Sequence, residues 1–112
     1  MHVQIITFGL KGISEEDYSK MAEAVAPAIA AMPGLVSEAW LADPETNTYG
    51  GAYIWQDREA MKAYADTEVF KGMATNPHFE GVTVKDFAVL ENHAYHTGAG
   101  RGRLNRRTEE VT

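Results

Sequence analysis

The sequence predicts an α+β domain in which two helices cover one face of a four-stranded antiparallel sheet. Four segments rich in β-branched and aromatic residues are interspersed with two segments whose apolar residues recur at helical spacing. Their order is β-α-β-β-α-β, which is the order of the ferredoxin-like fold. The chain has 112 residues, of which 45% are hydrophobic, and this length suits one domain with its own core.

The first strand and the first helix come before a Pro-Gly pair at residues 33–34. Residues 2–8 are typical of a strand with apolar side chains on both faces. Ser14 and the three acidic residues after it resemble a capping box, so a helix should begin there. Pro27 lies inside the helical pattern and predicts a kink or an early break. The helix has one apolar stripe, made of Tyr18, Met21, Ala22, Val25, Ile29 and Met32.

A β-hairpin and a second helix follow. Residues 35–42 and 49–56 have strand character, and the turn-forming residues 43–48 join them. Asp57 can cap the second helix, for which we expect a break near residues 66–67.

Residues 82–91 are the fourth predicted strand. Its apolar phase shifts between Val84 and Phe87, which either a β-bulge or burial of both faces would explain. The composition then becomes polar, glycine-rich and arginine-rich. We therefore expect a ferredoxin-like domain at residues 1–95 and a flexible basic tail or dimer-contacting arm at residues 96–112.

The predicted central strands carry few charges on either face. Residues 3–8 and 49–55 contain only apolar or uncharged side chains. A sheet with one wet face should alternate apolar and polar residues instead. The second face should therefore pack on another copy of the chain, and two such sheets form a barrel in a homodimer.

Charge and composition exclude several classes of protein. The net charge is −6, but residues 1–100 carry 14 acidic and six basic side chains, while the last twelve residues are net basic. Nucleic-acid binding by the folded part is therefore not expected. The absence of cysteine excludes disulfides and thiolate sites. No segment has the length of a membrane span, and no leader is visible, so we expect a cytoplasmic protein.

Several segments together resemble a known family. They are the Pro-Gly-Leu at residues 33–35, Trp40, the Gly-Gly-Ala-Tyr-Ile-Trp strand and capped helix start at residues 50–60, and the Ala-Tyr pair at residues 63–64. Over residues 2–95 the chain resembles the YdhR-type monooxygenases of the dimeric α+β barrel superfamily. The resemblance implies a homodimer with a cavity between sheet and helices. It also implies kinship with small oxygenases that attack polycyclic aromatic substrates without metal or flavin.

Three residues are candidates for catalysis. His78 follows the second helix near the expected mouth of the cavity, and its usual pKa suits a general base. Asn76 and the Tyr53 hydroxyl could stabilise an oxyanion. The alternative for His78 is a loop residue that caps the helix end.

Trp40, Trp55 and Tyr64 are candidates for substrate binding because together they could line an aromatic pocket. Their alternative role is ordinary packing in the core and the interface. Alternation places Tyr53 and Trp55 on one face, with Gly51 leaving room beside them. Glu38 lies on a predicted edge strand, where we expect it to be solvated and to discourage edge pairing.

The remaining histidines do not predict a metal site. His93 and His96 are three residues apart, but they follow the last strand, where no helix is expected, and no clear third ligand is present. The second helix also contains no histidine that could be an axial haem ligand.

The leading hypothesis is a cofactor-independent monooxygenase that oxidises a hydrophobic aromatic or polyketide-like molecule with dioxygen as co-substrate. The alternatives are a cyclase or isomerase that uses the same pocket, and a non-catalytic dimeric protein that binds a small ligand.

Overall fold

The computed structural model describes residues 1–98 and confirms the predicted ferredoxin-like α+β fold. Its four strands form one antiparallel sheet in the order β2-β3-β1-β4. Within residues 1–98, no helix is long and apolar enough to cross a bilayer. The elements are β1 (His2–Leu10), α1 (Glu15–Ala30), β2 (Leu35–Asp43), β3 (Thr48–Trp55), α2 (Arg58–Ala65), α3 (Glu68–Thr75), β4 (Phe79–Ala88) and α4 (Glu91–His96).

Three helices begin where side-chain oxygens accept free backbone N–H groups. Ser14 Oγ accepts from Asp17 at 3.1 Å, and Asp57 Oδ1 accepts from Ala60 at 2.8 Å. Thr67 caps α3 and thereby separates it from α2, which confirms the predicted break. Each cap satisfies one of the N–H groups that the first helical turn leaves unpaired.

The structure corrects two predictions about helices. Helix α1 continues past Pro27 to Ala30, so the early break is wrong. A short helix, α4, also forms where an arm without helix was predicted, and the amino group of Met1 lies 2.6 Å from its first residue, Glu91. Of the predicted tail, residues 99–112 lie outside the described residues.

Irregular pairing in both edge strands decides which side chains face the helices. Leu35 pairs with Trp55 and Ser37 with Ile54, so one extra residue, Val36, is inserted into β2. This insertion reverses the alternation beyond it. Glu38 therefore lies opposite the buried Tyr53, on the face of the sheet that the helices cover.

Strand β4 also contains an irregularity, but not where its apolar phase shifts. Its register with β1 is continuous from Thr83 to Ala88, and the shift lies before Thr83. Val84 and Phe87 pair with Ile6 and Val3, which belong to opposite faces of the sheet. A bulge between Val84 and Phe87 is therefore excluded, and each face of β4 carries one of these exposed apolar residues.

The two faces of the sheet differ in their cover. One face packs on the helices and, with them, forms the core of Ile6, Phe8, Tyr18, Ile29, Tyr49, Tyr53, Trp55, Met61 and Tyr64. The other face, here called the outer face, carries the side chains that alternate with these core residues along the strands. It displays Val3, Ile5 and Ile54, which are partly exposed, and Phe87, which is 54% exposed.

Candidate functional site

A cavity of about 360 Å³ lies between the sheet and the helices. This volume falls within the range of small-molecule sites. Most of its walls are aromatic and aliphatic side chains from α1, α3 and the inner face of the sheet. The lining residues are Ile6, Phe8, Tyr18, Met21, Ala22, Val25, Ile29, Trp40, Gly50, Tyr53, Tyr64, Glu68, Val69, Gly72, Met73, Asn76 and Phe79.

The apolar stripe of α1 forms one wall of this cavity. Five of the six stripe residues predicted from helical spacing line it, and among these Tyr18 and Ile29 are buried. Tyr18 also packs on the rings of Phe8 and Phe79, and Val25 packs against the core, so the stripe belongs both to the core and to the cavity wall.

Aromatic rings are arranged as two clusters that both contribute to the cavity. In the first cluster, Phe8 stacks on Phe79 with ring centroids 4.2 Å apart, and Tyr18 meets both rings edge-on. In the second, the Tyr64 ring lies 5.6 Å from Tyr53 and 5.2 Å from Trp55. Rings in contact at such distances are rigid, so the site has preformed aromatic walls.

The phenols of the cavity hold their protons tightly. Burial, with the charge of Glu38 as a further cause, raises the pKa of Tyr18 to about 12. Burial also raises the pKa of Tyr53, and the neighbouring Tyr64 and Glu38 add to that effect. Burial raises the pKa of Tyr64 as well. All three side chains are therefore neutral hydrogen-bond donors at neutral pH.

Glu38 is the carboxylate that lies closest to these phenols in the sheet. Burial raises its pKa to about 6, and the Tyr53 hydroxyl opposes that effect. One of its oxygens, Oε2, is buried and has no hydrogen-bond partner. A buried oxygen without a partner is costly, and such groups are common at sites of function.

Gly51 makes the room that Glu38 occupies. A Cβ atom at this position would lie 2.8 Å from Glu38 Oε2 and 2.9 Å from Cε1 of the Tyr53 ring. Both contacts are shorter than a side chain at residue 51 could tolerate. The glycine therefore allows the carboxylate and the phenol to lie together on the inner face, and the predicted space beside Tyr53 is filled by Glu38.

The structure brings four of the six predicted site residues to one cavity. Trp40, Tyr53, Tyr64 and Asn76 all line it, although they come from β2, β3, α2 and the end of α3. Asn76 Oδ1 accepts the backbone N–H of His78 at 2.8 Å. This bond fixes the orientation of the Asn76 amide.

The other two predicted site residues lie elsewhere. His78 is exposed and is not among the residues that line the cavity. Its Nδ1 lies 2.9 Å from the carbonyl oxygen of Lys11, and a carbonyl can only accept, so Nδ1 donates there. Trp55 is fully buried behind Tyr53, and its indole N–H donates to Gln4 Oε1 at 3.0 Å.

Sequence reasoning missed three polar residues of the site, which are Tyr18 and Glu68 in the cavity lining and Glu38 beside Tyr53. Tyr18 was correctly assigned to the apolar stripe of α1, but no role was predicted for its hydroxyl. Glu38 was expected to be solvated, and this is wrong for its buried Oε2. The signal that could have identified it is its position two residues before Trp40, because alternation places both side chains on one face of the strand.

The lining residues do not match the needs of haem. Among residues 1–98, no histidine lines the cavity and no lysine or arginine is present there to pair with haem propionates, whereas the carboxylate of Glu68 would repel them. Within residues 1–98, no cluster of three or more histidine, aspartate or glutamate side chains could hold a metal ion.

Comparison with known families decides the classification. The profile of the family described as "Putative mono-oxygenase ydhR" matches residues 3–99, which is most of the chain. The chain belongs to the YdhR mono-oxygenase family. No curated protein matches it by sequence.

Solved structures confirm the fold of this YdhR-family protein. SnoaB, a cofactor-independent oxygenase from Streptomyces nogalater, is 19% identical with a TM-score of 0.65, over 80% of this chain and 92% of its own. The haem degrader MhuD from Mycobacterium tuberculosis, with two haems bound, is 21% identical with a TM-score of 0.64, over 80% and 96%. An antibiotic biosynthesis monooxygenase is 17% identical with a TM-score of 0.66, over 80% and 99%.

Proposed function

We propose that this YdhR-family protein is a cofactor-independent monooxygenase that oxidises an apolar aromatic or polyketide-like molecule with dioxygen. The observation that carries the proposal is the cavity, whose apolar walls enclose neutral phenols beside a buried carboxylate. An acidic aromatic molecule fits both the walls and the polar groups. The similarity in fold to SnoaB, a cofactor-independent oxygenase, supports the proposal, and the poor match to haem favours it over haem breakdown.

The reaction draws its electrons from the substrate. A methylene carbon next to aromatic rings and a carbonyl, as in an anthrone, loses one proton to a base. The electron pair left on carbon forms a bond to dioxygen and gives a peroxide anion. This anion takes up one proton, and the hydroperoxide then loses water to leave a second carbonyl. One substrate and one dioxygen thus give one quinone and one water.

The protein's part is to stabilise the anion and to exclude water. Tyr64 can donate a hydrogen bond to the carbonyl oxygen on which the negative charge collects, and Tyr53 can donate one to the peroxide that forms at the methylene carbon. Asn76 can donate from its amide nitrogen, because its Oδ1 already accepts from His78. Trp40 provides an aromatic surface for the ring system. The apolar walls protect the peroxide from side reactions. His78 has no role in this scheme.

We also propose that the protein is a homodimer joined through the outer face. The partly exposed apolar side chains there, with Phe87 at its edge, favour a second copy of the same sheet. Phe87→Glu should then halve the mass seen by light scattering. Val84→Glu, on the other face of the same strand, should leave the dimer intact. A wild-type monomer at micromolar concentration would contradict the dimer. Cytoplasmic location and the absence of nucleic-acid partners stay predictions.

Turnover of dithranol, a dihydroxyanthrone, tests the monooxygenase. The purified protein should speed formation of the dihydroxyanthraquinone in air above the spontaneous rate, with one dioxygen consumed per quinone. Under nitrogen, no quinone should form. A denatured sample and the variant Tyr53→Phe are the controls, and the variant should be slower than wild type.

The other outcomes distinguish the alternatives. Equal product formation under nitrogen and in air would contradict the monooxygenase and support a cyclase or isomerase. Thermal stabilisation by dihydroxyanthraquinone without any turnover would support a binding protein. An absorption band of bound haem that persists through gel filtration would favour haem chemistry.

A further inference from the structure

We propose that Glu38 and Tyr53 form a proton relay at the wall of the cavity, in which Tyr53 contacts the substrate and Glu38 receives the proton. The inference rests on the proposed function and adds the group that accepts the proton. Within this scheme Tyr53 is the catalytic residue, and Glu38 acts through it.

The geometry of the sheet supports this pair. Glu38 and Tyr53 are direct partners in the register of β2 and β3, and their side chains share the inner face. Tyr53 lines the cavity, whereas Glu38 lines a neighbouring surface pocket beside Trp40. In the relay, a proton that leaves a substrate at this wall reaches Glu38 through the Tyr53 hydroxyl.

The carboxylate is free to take up a proton. The Tyr53 hydroxyl donates towards the carboxylate and thereby lowers the pKa of Glu38, so the donor of the relay already faces its acceptor. The buried Oε2 has no hydrogen-bond partner within residues 1–98, so no other group there competes for the proton. In the relay, the substrate proton moves to Tyr53 Oη while the proton of Tyr53 moves to Glu38. Tyr53 stays neutral because gain and loss occur together, and no electrons are transferred. The proton on Glu38 can later return to the peroxide.

The groups around Glu38 leave it as the one that titrates near neutrality. Tyr18 on α1, Tyr53 on β3 and Tyr64 on α2 interact with its charge, and all three have raised pKa values. Glu68 on α3 is a second carboxylate at the cavity, so its contribution to the dependence of activity on pH must be measured separately. The relay predicts that activity rises with pH as Glu38 loses its proton, around pH 6.

Proton exchange under nitrogen tests the relay without oxygenation. The protein is incubated with dithranol in deuterium oxide, and loss of the methylene signal is followed by NMR. Wild type should accelerate exchange, with a rate that rises through an apparent pKa near 6. Glu38→Gln should reduce the enzyme-dependent rate about a hundredfold, the order of effect of a lost proton acceptor, and remove the rise with pH.

Three variants make the result specific. Glu38→Asp keeps a carboxylate and should recover part of the rate. Glu45→Gln makes the same chemical change at an exposed turn position and should match wild type. In Glu68→Gln the exchange rate should still rise with pH. If the rate of that variant no longer rose with pH, the titration would belong to Glu68 and the relay would be overturned. Thermal unfolding of every variant verifies that it is folded.

The relay and the monooxygenase can fail separately. Normal exchange and normal dioxygen uptake by Glu38→Gln would overturn the relay and leave the monooxygenase standing. Glu38-dependent exchange by a protein that never consumes dioxygen would support the relay and overturn the monooxygenase. A wild type that neither exchanges the methylene protons nor consumes dioxygen would contradict both.

Discussion

The two edge strands each place one carboxylate on the inner face of the sheet, and the two carboxylates have different surroundings. On β4, Asp86 lies beside Gln4 and meets His2, with 2.6 Å between Nε2 and Oδ1. On β2, Glu38 lies beside Tyr53, and its Oε2 has no partner. Asp86 is thus satisfied by its neighbours and fixes the ends of two strands. Glu38 Oε2 is not satisfied by any group within residues 1–98, which marks this carboxylate as a candidate for chemistry.

The position of the cavity reinforces this contrast. Tyr53, the partner of Glu38, lines the cavity, but neither Asp86 nor His2 does. The same residue type on the same face therefore serves structure at one edge and, in our proposal, proton transfer at the other. The same kind of substitution should therefore have different effects at the two edges of the sheet. Three predictions follow, in order of decreasing effect.

The largest effect should come from filling the space beside Glu38. Gly51→Ala would place its Cβ 2.8 Å from Glu38 Oε2 and 2.9 Å from the Tyr53 ring. We expect a loss of about 1–3 kcal/mol in the free energy of unfolding, typical of overpacking, and a loss of dithranol turnover. Urea unfolding measures the loss of stability, and the quinone assay measures the loss of turnover.

Gly72→Ala is the matched control for stability. A Cβ there meets nothing within 4 Å, and the residue lies inside α3. This change should raise the free energy of unfolding by about 0.5–1 kcal/mol, because alanine favours a helix over glycine. If Gly51→Ala were as well tolerated as Gly72→Ala, the close packing at Glu38 would be wrong.

The two carboxylates should respond oppositely to loss of charge. Asp86→Asn weakens the contact with His2 and should cost about 1 kcal/mol of unfolding free energy, since the pair is partly exposed. Glu38→Gln removes a charge held in a buried position and should leave stability unchanged or slightly raised. Urea unfolding at pH 7 compares them. Equal destabilisation by both changes would mean that Glu38 has a structural partner.

The smallest effect should be the dependence of stability on pH. The pKa of Glu38 is about 6 in the folded chain, whereas the ordinary value for a glutamate that the fold does not perturb is 4.5. Folding therefore favours the protonated form. Glu38 therefore lowers the free energy of unfolding as pH rises from about 4.5 through 6. The full shift corresponds to about 2 kcal/mol, and we expect no more than about 1 kcal/mol because the side chain is half-buried and solvent screens its charge. Thermal unfolding should show this slope in wild type and in Asp86→Asn. If the same slope of stability against pH persisted in Glu38→Gln, the slope could not be assigned to Glu38.

Local signals in the sequence were sufficient to predict the fold. Ser14 and Asp57 cap their helices through contacts three residues away, and such contacts are encoded where they occur. The apolar spacing of α1 likewise predicted five residues of the cavity wall. Alternation correctly placed Tyr53 and Trp55 on one face, but it could not show that the cavity ends before Trp55.

The rest of the site depends on contacts between distant segments. The extra residue at Val36 turns Glu38 towards the helices, and nothing in the strand's composition identifies that position. His78 packs on Lys11, which is 67 residues away in the chain. A histidine in a loop carries no local sign of which backbone carbonyl it will meet. Trp40 and Asn76 could therefore be predicted as candidates, whereas Glu38, which alternation places on the same face as Trp40, was assigned to solvent because the composition of β2 does not show which face the helices cover.

A crystal structure with dihydroxyanthraquinone bound would test the central claim most directly. The account predicts that the three rings lie in the cavity against Trp40, with an oxygen within hydrogen-bond distance of Tyr53 Oη. It also predicts that Glu38 stays beside Tyr53 on the inner face of the sheet. Binding of the quinone at the outer face, or a Glu38 side chain that points into solvent, would contradict it.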